Sequence, residues 1–180
     1  MAALQRSVNS FCKDLLTTSC LLLIALWVQG GTAVPVRPQC RLNSIDLPPT
    51  SVTNYTFRLA EEASLEDNNT DVRLFGYYQL FRGVNVTDYC YLMKQVLNFT
   101  IEEVLVPNCN RYQPYMDTVL SYLMRISYKL NQCHIERDDY NIQRNVQELK
   151  DTVQKLGESG KIKVIGELNS LHGLLVTKCF

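Results

Sequence analysis

Apolar residues recur three and four positions apart over most of the chain, whereas the alternation of a half-buried strand is scarce. A first helix is predicted to start near Thr53 or Asn54, with Phe57, Ala60 and Leu65 on its buried side. It stops in the polar run Glu66-Asp67-Asn68-Asn69-Thr70-Asp71. A second segment, Cys90 to Val106, places Met93, Val96, Leu97, Ile101 and Val104 at helical spacing, and Pro107 ends it. A third, Tyr112 to Leu130, aligns Met116, Val119, Leu120, Leu123, Ile126 and Leu130 along one face. The fourth is the clearest. After Asp138-Asp139, which can cap a helix start, Ile142, Val146, Leu149, Val153 and Leu156 recur in steps of four and three until Gly157 closes the helix. The last helix begins near Gly160 and carries Ile162, Ile165, Leu168 and Leu175 on its buried side. Short connections between these segments predict an all-α bundle of five or six helices in a single domain.

The N-terminal region follows a different pattern. Arg6 and Lys13 precede the apolar run Leu21-Leu22-Leu23-Ile24-Ala25-Leu26-Trp27-Val28, and small residues Gly30-Gly31-Thr32-Ala33 follow it. That order is a secretory signal peptide over residues 1–33, and the run is shorter than the roughly 20 apolar residues of a membrane span. The helical domain is then expected over residues 34–180, secreted and extracellular. Its first stretch, Val34 to Thr50, holds four of the six prolines and is expected to be extended or turned. Lys and Arg total 18 and Asp and Glu total 18, so no global field favours nucleic acid or an anionic membrane.

Secretion changes the reading of the cysteines. Cys40, Cys90, Cys109, Cys133 and Cys179 remain after the signal, and an oxidising compartment favours disulfides among them. Five cysteines allow at most two internal bridges, spacing does not choose the pairing, and no zinc-type pair is present. Four sequons begin at Asn54, Asn68, Asn85 and Asn98, and all four are candidate glycosylation sites.

Longer strings are more specific than periodicity. Asp67-Asn68-Asn69-Thr70-Asp71-Val72-Arg73-Leu74, Cys90-Tyr91-Leu92-Met93-Lys94-Gln95-Val96-Leu97-Asn98-Phe99-Thr100, Gln113-Pro114-Tyr115-Met116 and Lys155-Leu156-Gly157-Glu158-Ser159-Gly160-Lys161-Ile162-Lys163 resemble the interleukin-10 family of class II helical cytokines over nearly the whole chain. The resemblance implies a six-helix, disulfide-bonded bundle with bridges Cys40 to Cys133 and Cys90 to Cys179. It leaves Cys109 unpaired, as a free thiol, a link to a second chain or a competitor for native pairing; a monomer is the expected state otherwise. It also implies that the chain binds a high-affinity receptor chain and a second chain shared with interleukin-10, and so activates Janus kinases and STAT-family transcription factors. Carried over by motif, the high-affinity surface is Asp67, Thr70, Asp71, Val72 and Arg73 with Lys163, Gly166 and Glu167. The shared-receptor surface is Asn54 and Tyr115, with departures from the family pattern at Ser51, Tyr55 and Thr118. Gly166 inside a helix costs about 1 kcal/mol against alanine, so a close approach is expected there, by a receptor loop or by a neighbouring helix.

No cofactor, metal or catalysis is expected. Asp67, Asn69 and Asp71 begin like a calcium loop, but Val72 stands where glycine is needed and Tyr78 where the bidentate glutamate belongs. Of the two histidines, His134 adjoins Cys133 at a helix end and His172 falls on the buried side of the last helix. Neither belongs to a nucleophilic motif. The contrasting class, a secreted helical carrier without a signalling partner, would need an apolar cavity.

Overall fold

The apolar stripes come together in one core. In the computed structural model, which describes residues 40–69, 71–132 and 140–180, these residues form seven α-helices and no strand. The helices are α1 (Thr50–Glu66), α2 (Tyr77–Leu80), α3 (Tyr89–Phe99), α4 (Tyr115–Asn131), α5 (Tyr140–Leu156), α6 (Glu158–Gly166) and α7 (Leu168–Cys179). A π-helical stretch, Thr100–Leu105, continues α3, and a 3-10 turn, Val106–Asn108, ends it at Pro107. The expected signal peptide, Thr70, Cys133, His134 and the cap at Asp138-Asp139 lie outside the described residues.

The register of α1 differs from the sequence expectation. The helix begins at Thr50, directly after Pro49, because a proline at a helix start gives up no hydrogen bond that the helix needs. Its buried stripe is Val52, Thr56, Leu59, Ala60 and Ala63, whereas Phe57 is 55% exposed and Leu65 85% exposed. The reason is volume. A side-chain carbon on Gly166 of α6 would sit 3.4 Å from the Ser64 backbone nitrogen, so α1 and α6 approach too closely for a large side chain between them. Alanines fill that seam and Thr56 joins it by donating its hydroxyl to the Val52 carbonyl at 2.8 Å. The close approach at Gly166 is therefore made within the bundle.

Elsewhere the predicted faces hold except at Leu156 and Ile162, which are only partly buried; in α6 Lys163 and Val164 are buried beside Ile165. All five apolar residues expected inside the second segment are buried, and α4 buries Tyr122 alongside its predicted stripe, with Leu120 only partly covered. On α5, Asn145 is buried with Ile142, Val146, Leu149 and Val153; its amide donates to the Leu80 and Arg82 carbonyls, 2.9 Å each, and so ties the turn after α2 to α5. Gly157 ends α5 with φ of 62°, a left-handed conformation that glycine adopts without steric cost. The last helix is interrupted at Glu167, which separates α6 from α7.

Three attachments fix the ends of the chain to the core. The Cys90–Cys179 disulfide joins the start of α3 to the end of α7, and Cys40 is itself disulfide-bonded. The Leu42 N–H donates to the Cys179 carbonyl. Asp46, almost wholly buried, accepts from Lys129 of α4, and the Tyr122 hydroxyl donates to the Asp46 carbonyl at 3.1 Å. The lysine holds the Asp46 carboxyl below its ordinary value.

The α5–α6 junction leaves no room for a side chain at Gly160. A Cβ on Gly160 would lie 2.4 Å from the Val153 carbonyl oxygen, so Gly160→Ala must move backbone. It is expected to destabilise the protein by about 1–3 kcal/mol, the usual range for overpacking, and denaturant unfolding measures it.

Candidate functional site: a loop held by the last two-part helix

The loop after α1 is polar and short of apolar anchors, so its conformation depends on side chains that reach it from elsewhere. Two come from α6 and its end. Lys163, only 5% exposed, places its ammonium 2.8 Å from Asp67 Oδ2 and donates to the Asn69 carbonyl at 2.6 Å. A buried ammonium is tolerated when its protons find acceptors, and Glu167 Oε1, 3.6 Å away, adds further negative charge. Glu167 in turn accepts from the backbone: the N–H groups of Leu74 and Phe75 each lie 3.0 Å from Oε2. Asp67 also folds the loop locally, because its Oδ1 accepts the Asn69 N–H at 2.9 Å.

The loop is thus pinned at its entry by Lys163 and at its exit by Glu167. Between the pins Asp71 and Arg73 are exposed and Val72 is half-buried. The Asn69 amide donates to Ser159 at the start of α6. Arg111, in the turn before α4, bridges Glu66 and Glu158, 2.8 Å to each, and so braces the end of α1 against α6. Beside the exposed residues runs an open cleft of ≈ 310 Å³, bounded by Asp71 to Leu74 on one side and Glu148, Leu149 and Thr152 of α5 on the other.

The eight residues of the carried-over surface therefore divide by environment. Asp71 and Arg73 face solvent and Val72 is half-buried between them; Asp67, Lys163 and Glu167 are covered and bind one another or the loop backbone; Gly166 faces Ser64 of α1; Thr70 is outside the described residues. Helical spacing put Lys163 and Glu167 on one face but could not show that the loop folds back over that face. A lysine four residues before a glutamate, next to an Asp-Asn-Asn loop, was the available signal.

The second set lies at the other end of α1. Asn54 is exposed, its neighbour Tyr55 packs a tilted ring against Tyr115 at the start of α4 with centroids 5.6 Å apart and planes at 53°, and Ser51 and Thr118 belong to the same two helix starts. The twelve steps of rise from Asn54 to Glu66 separate this region from the loop by about 18 Å of helix.

Among the sequons, Asn54, Asn68 and Asn85 are exposed. Asn98 is half-buried and engaged by α4: its amide donates to Asn131 Oδ1 at 3.0 Å and its oxygen accepts from Ser127 at 2.6 Å. Cys109 is a free, half-exposed cysteine in the turn after α3. Both oxygens of Asp67 are engaged by protein donors. Among the described residues no group of three or more His, Cys, Asp or Glu could hold a metal ion, and no helix is long and apolar enough to cross a membrane.

Comparison with known proteins agrees with this architecture. The sequence model of the family described as interleukin 22, IL-10-related T-cell-derived-inducible factor, matches residues 40–179. Interleukin-22 of Homo sapiens is 60% identical over 179 residues, 99% of each chain, and interleukin-22b of Mus musculus is 53% identical over 179 residues, again 99% of each. The fold and these relatives define a helical cytokine of the interleukin-10 family, a class that works by binding cytokine receptors and is not enzymatic. Within that class, the chain belongs to the interleukin-22 family.

Proposed function

We propose that the chain is secreted after removal of residues 1–33 and signals by bridging two class II receptor chains. The interleukin-22 receptor chain is engaged first, through the pinned loop, and the second chain shared with interleukin-10 is recruited at the starts of α1 and α4. Receptor-bound Janus kinases and STAT-family factors then carry the signal. The observation that supports this reading best is the two-point attachment of the loop, which presents Asp71 and Arg73 to solvent from a backbone already held by Glu167. A partner that binds a pre-ordered loop loses less conformational entropy than one that must order it.

In this reading Asp71, Val72 and Arg73, with Thr70, make the receptor contact, while Asp67, Lys163, Gly166 and Glu167 shape the surface from beneath. Asn54 and Tyr115 supply the shared-receptor contact, about 18 Å away along α1, so two receptors can bind at once. Asn54, Asn68, Asn85 and Asn98 carry the glycans, with Asn98 requiring its contacts to α4 to rearrange. The secreted protein is a monomer, and Cys109 is the point at which two chains could become linked.

The test is binding of the oxidised chain 34–180 to the two receptor ectodomains, separately and together. Tight binding to the first and recruitment of the second are expected. Asp71→Ala should weaken the first step by fivefold or more, the loss of about 1 kcal/mol that marks an interface residue, while the helical circular dichroism spectrum stays native. Binding to neither ectodomain would remove the functional reading. Binding to the first without recruitment would make the chain an antagonist, for which the Tyr55–Tyr115 ring pair at the shared surface gives a structural reason.

A further inference from the structure

Most buried polar side chains of the core have partners, as Asp46, Thr56, Thr100, Asn108 and Asn145 illustrate. His172 is different at one atom: its Nε2 is buried with no hydrogen-bond partner among the described residues, and the residue is 8% exposed. It lies on α7, edge-on to Tyr122 of α4, with ring centroids 6.0 Å apart and planes at 75°. A neutral imidazole fits such a site much as an aromatic ring does. An imidazolium does not, because it would carry a charge and a further N–H donor into a place with no acceptor for Nε2.

The neighbouring groups cannot absorb that charge. On α4, the Tyr122 hydroxyl donates to the Asp46 carbonyl, and Arg125, 5.4 Å above the Tyr122 ring, adds like charge. On the N-terminal segment the Asp46 carboxylate is already held by Lys129. The buried faces of α1 (Val52, Thr56, Leu59, Ala60, Ala63) and of α3 (Cys90, Leu92, Met93, Val96, Leu97, Phe99) contain no free titratable group. Lys163 of α6 is bound to Asp67, and Lys178 of α7 lies over the Tyr77 ring. Burial lowers the His172 pKa below 6.5, whereas the Tyr122 hydroxyl is pushed up to about 12 and Asp46 stays ionised below its ordinary 3.8. Of His172, Tyr122 and Asp46, only His172 changes charge between neutral and mildly acidic pH.

We propose that His172 is an acid sensor: its protonation breaks the ring contact with Tyr122, loosens α7 in the bundle and, through Glu167 five residues upstream, releases the pinned loop and with it the receptor. The release step rests on the reading of that loop as receptor-binding. The unfolded chain takes up the proton first, so stability is full above pH 6.5, falls as pH drops through that value, and levels off only below the lower folded value. The folding equilibrium constant loses a factor of about ten for each pH unit between the two values.

The experiment compares the oxidised chain with His172→Phe, and with His172→Leu should phenylalanine fit poorly. Urea midpoints and receptor-ectodomain dissociation rates are measured at pH 7.5, 6.5 and 5.5. His134 is retained in every sample, so a difference belongs to position 172. The native chain is expected to lose midpoint and to dissociate several-fold faster at pH 5.5, and a neutral residue should flatten both profiles. Unfolding profiles identical in native and variant chains would overturn the sensor. Flattened unfolding with unchanged pH dependence of dissociation would overturn its link to the receptor. Absence of binding at pH 7.5 would count against the receptor reading alone, because the urea profiles judge the sensor independently.

Discussion

Lys163→Ala is expected to cost about 3–5 kcal/mol of stability, the range for removing one partner of a buried ion pair. The lysine is covered, so its loss leaves Asp67 Oδ2 and the Asn69 carbonyl without their donor and Glu167 without its nearest countercharge. Receptor affinity should fall as well, since the loop loses its entry pin while Asp71 and Arg73 are untouched. Pairing Lys163→Met with Asp67→Asn removes both charges and should recover much of the lost stability. In a double-mutant cycle the coupling should exceed about 1 kcal/mol. A Lys163→Ala protein with native unfolding midpoint and weakened binding would mean that the ammonium reaches the receptor itself.

Replacing Cys90 and Cys179 together by alanine is expected to cost about 4–5 kcal/mol. The bridge spans 89 residues, and the chain-entropy relation gives about that much for a loop of this length. Both sulfurs are in the core and α7 ends at Cys179, so the loss should also fray α7 and release the Leu42 hydrogen bond to its last carbonyl. Urea unfolding and near-ultraviolet circular dichroism would show it. A change below about 1 kcal/mol would mean that the packing of α7 on α1 and α3 holds the terminus unaided.

How far the sequence discloses this structure depends on what determines each feature. The α5 stripe, the Gly157 stop and the long segment ending at Pro107 follow from local spacing and backbone chemistry, and they were legible. The α1 face was legible at Ala60 alone. Phe57 and Leu65 are the larger apolar residues, yet close packing against Gly166 of α6 selects Ala60, Ala63 and a self-bonded Thr56. The interruption at Glu167 has no proline or sharp glycine turn to announce it, and it accompanies a carboxylate turned to collect two N–H groups from a loop more than 90 residues earlier. The same long-range fact hides the burial of Lys163. The motif resemblance named the residues of the site, but only the fold separates those that are covered from those that face solvent.

The central claim is that the loop is ordered before any receptor arrives. Amide hydrogen exchange of the free, oxidised chain tests it directly at Leu74 and Phe75, whose N–H groups the structure gives to Glu167. Strong protection at both, lost in Glu167→Ala, is the expected result. Exchange at both amides as fast as in an unstructured peptide would contradict the account, because the loop would then be ordered only by the receptor.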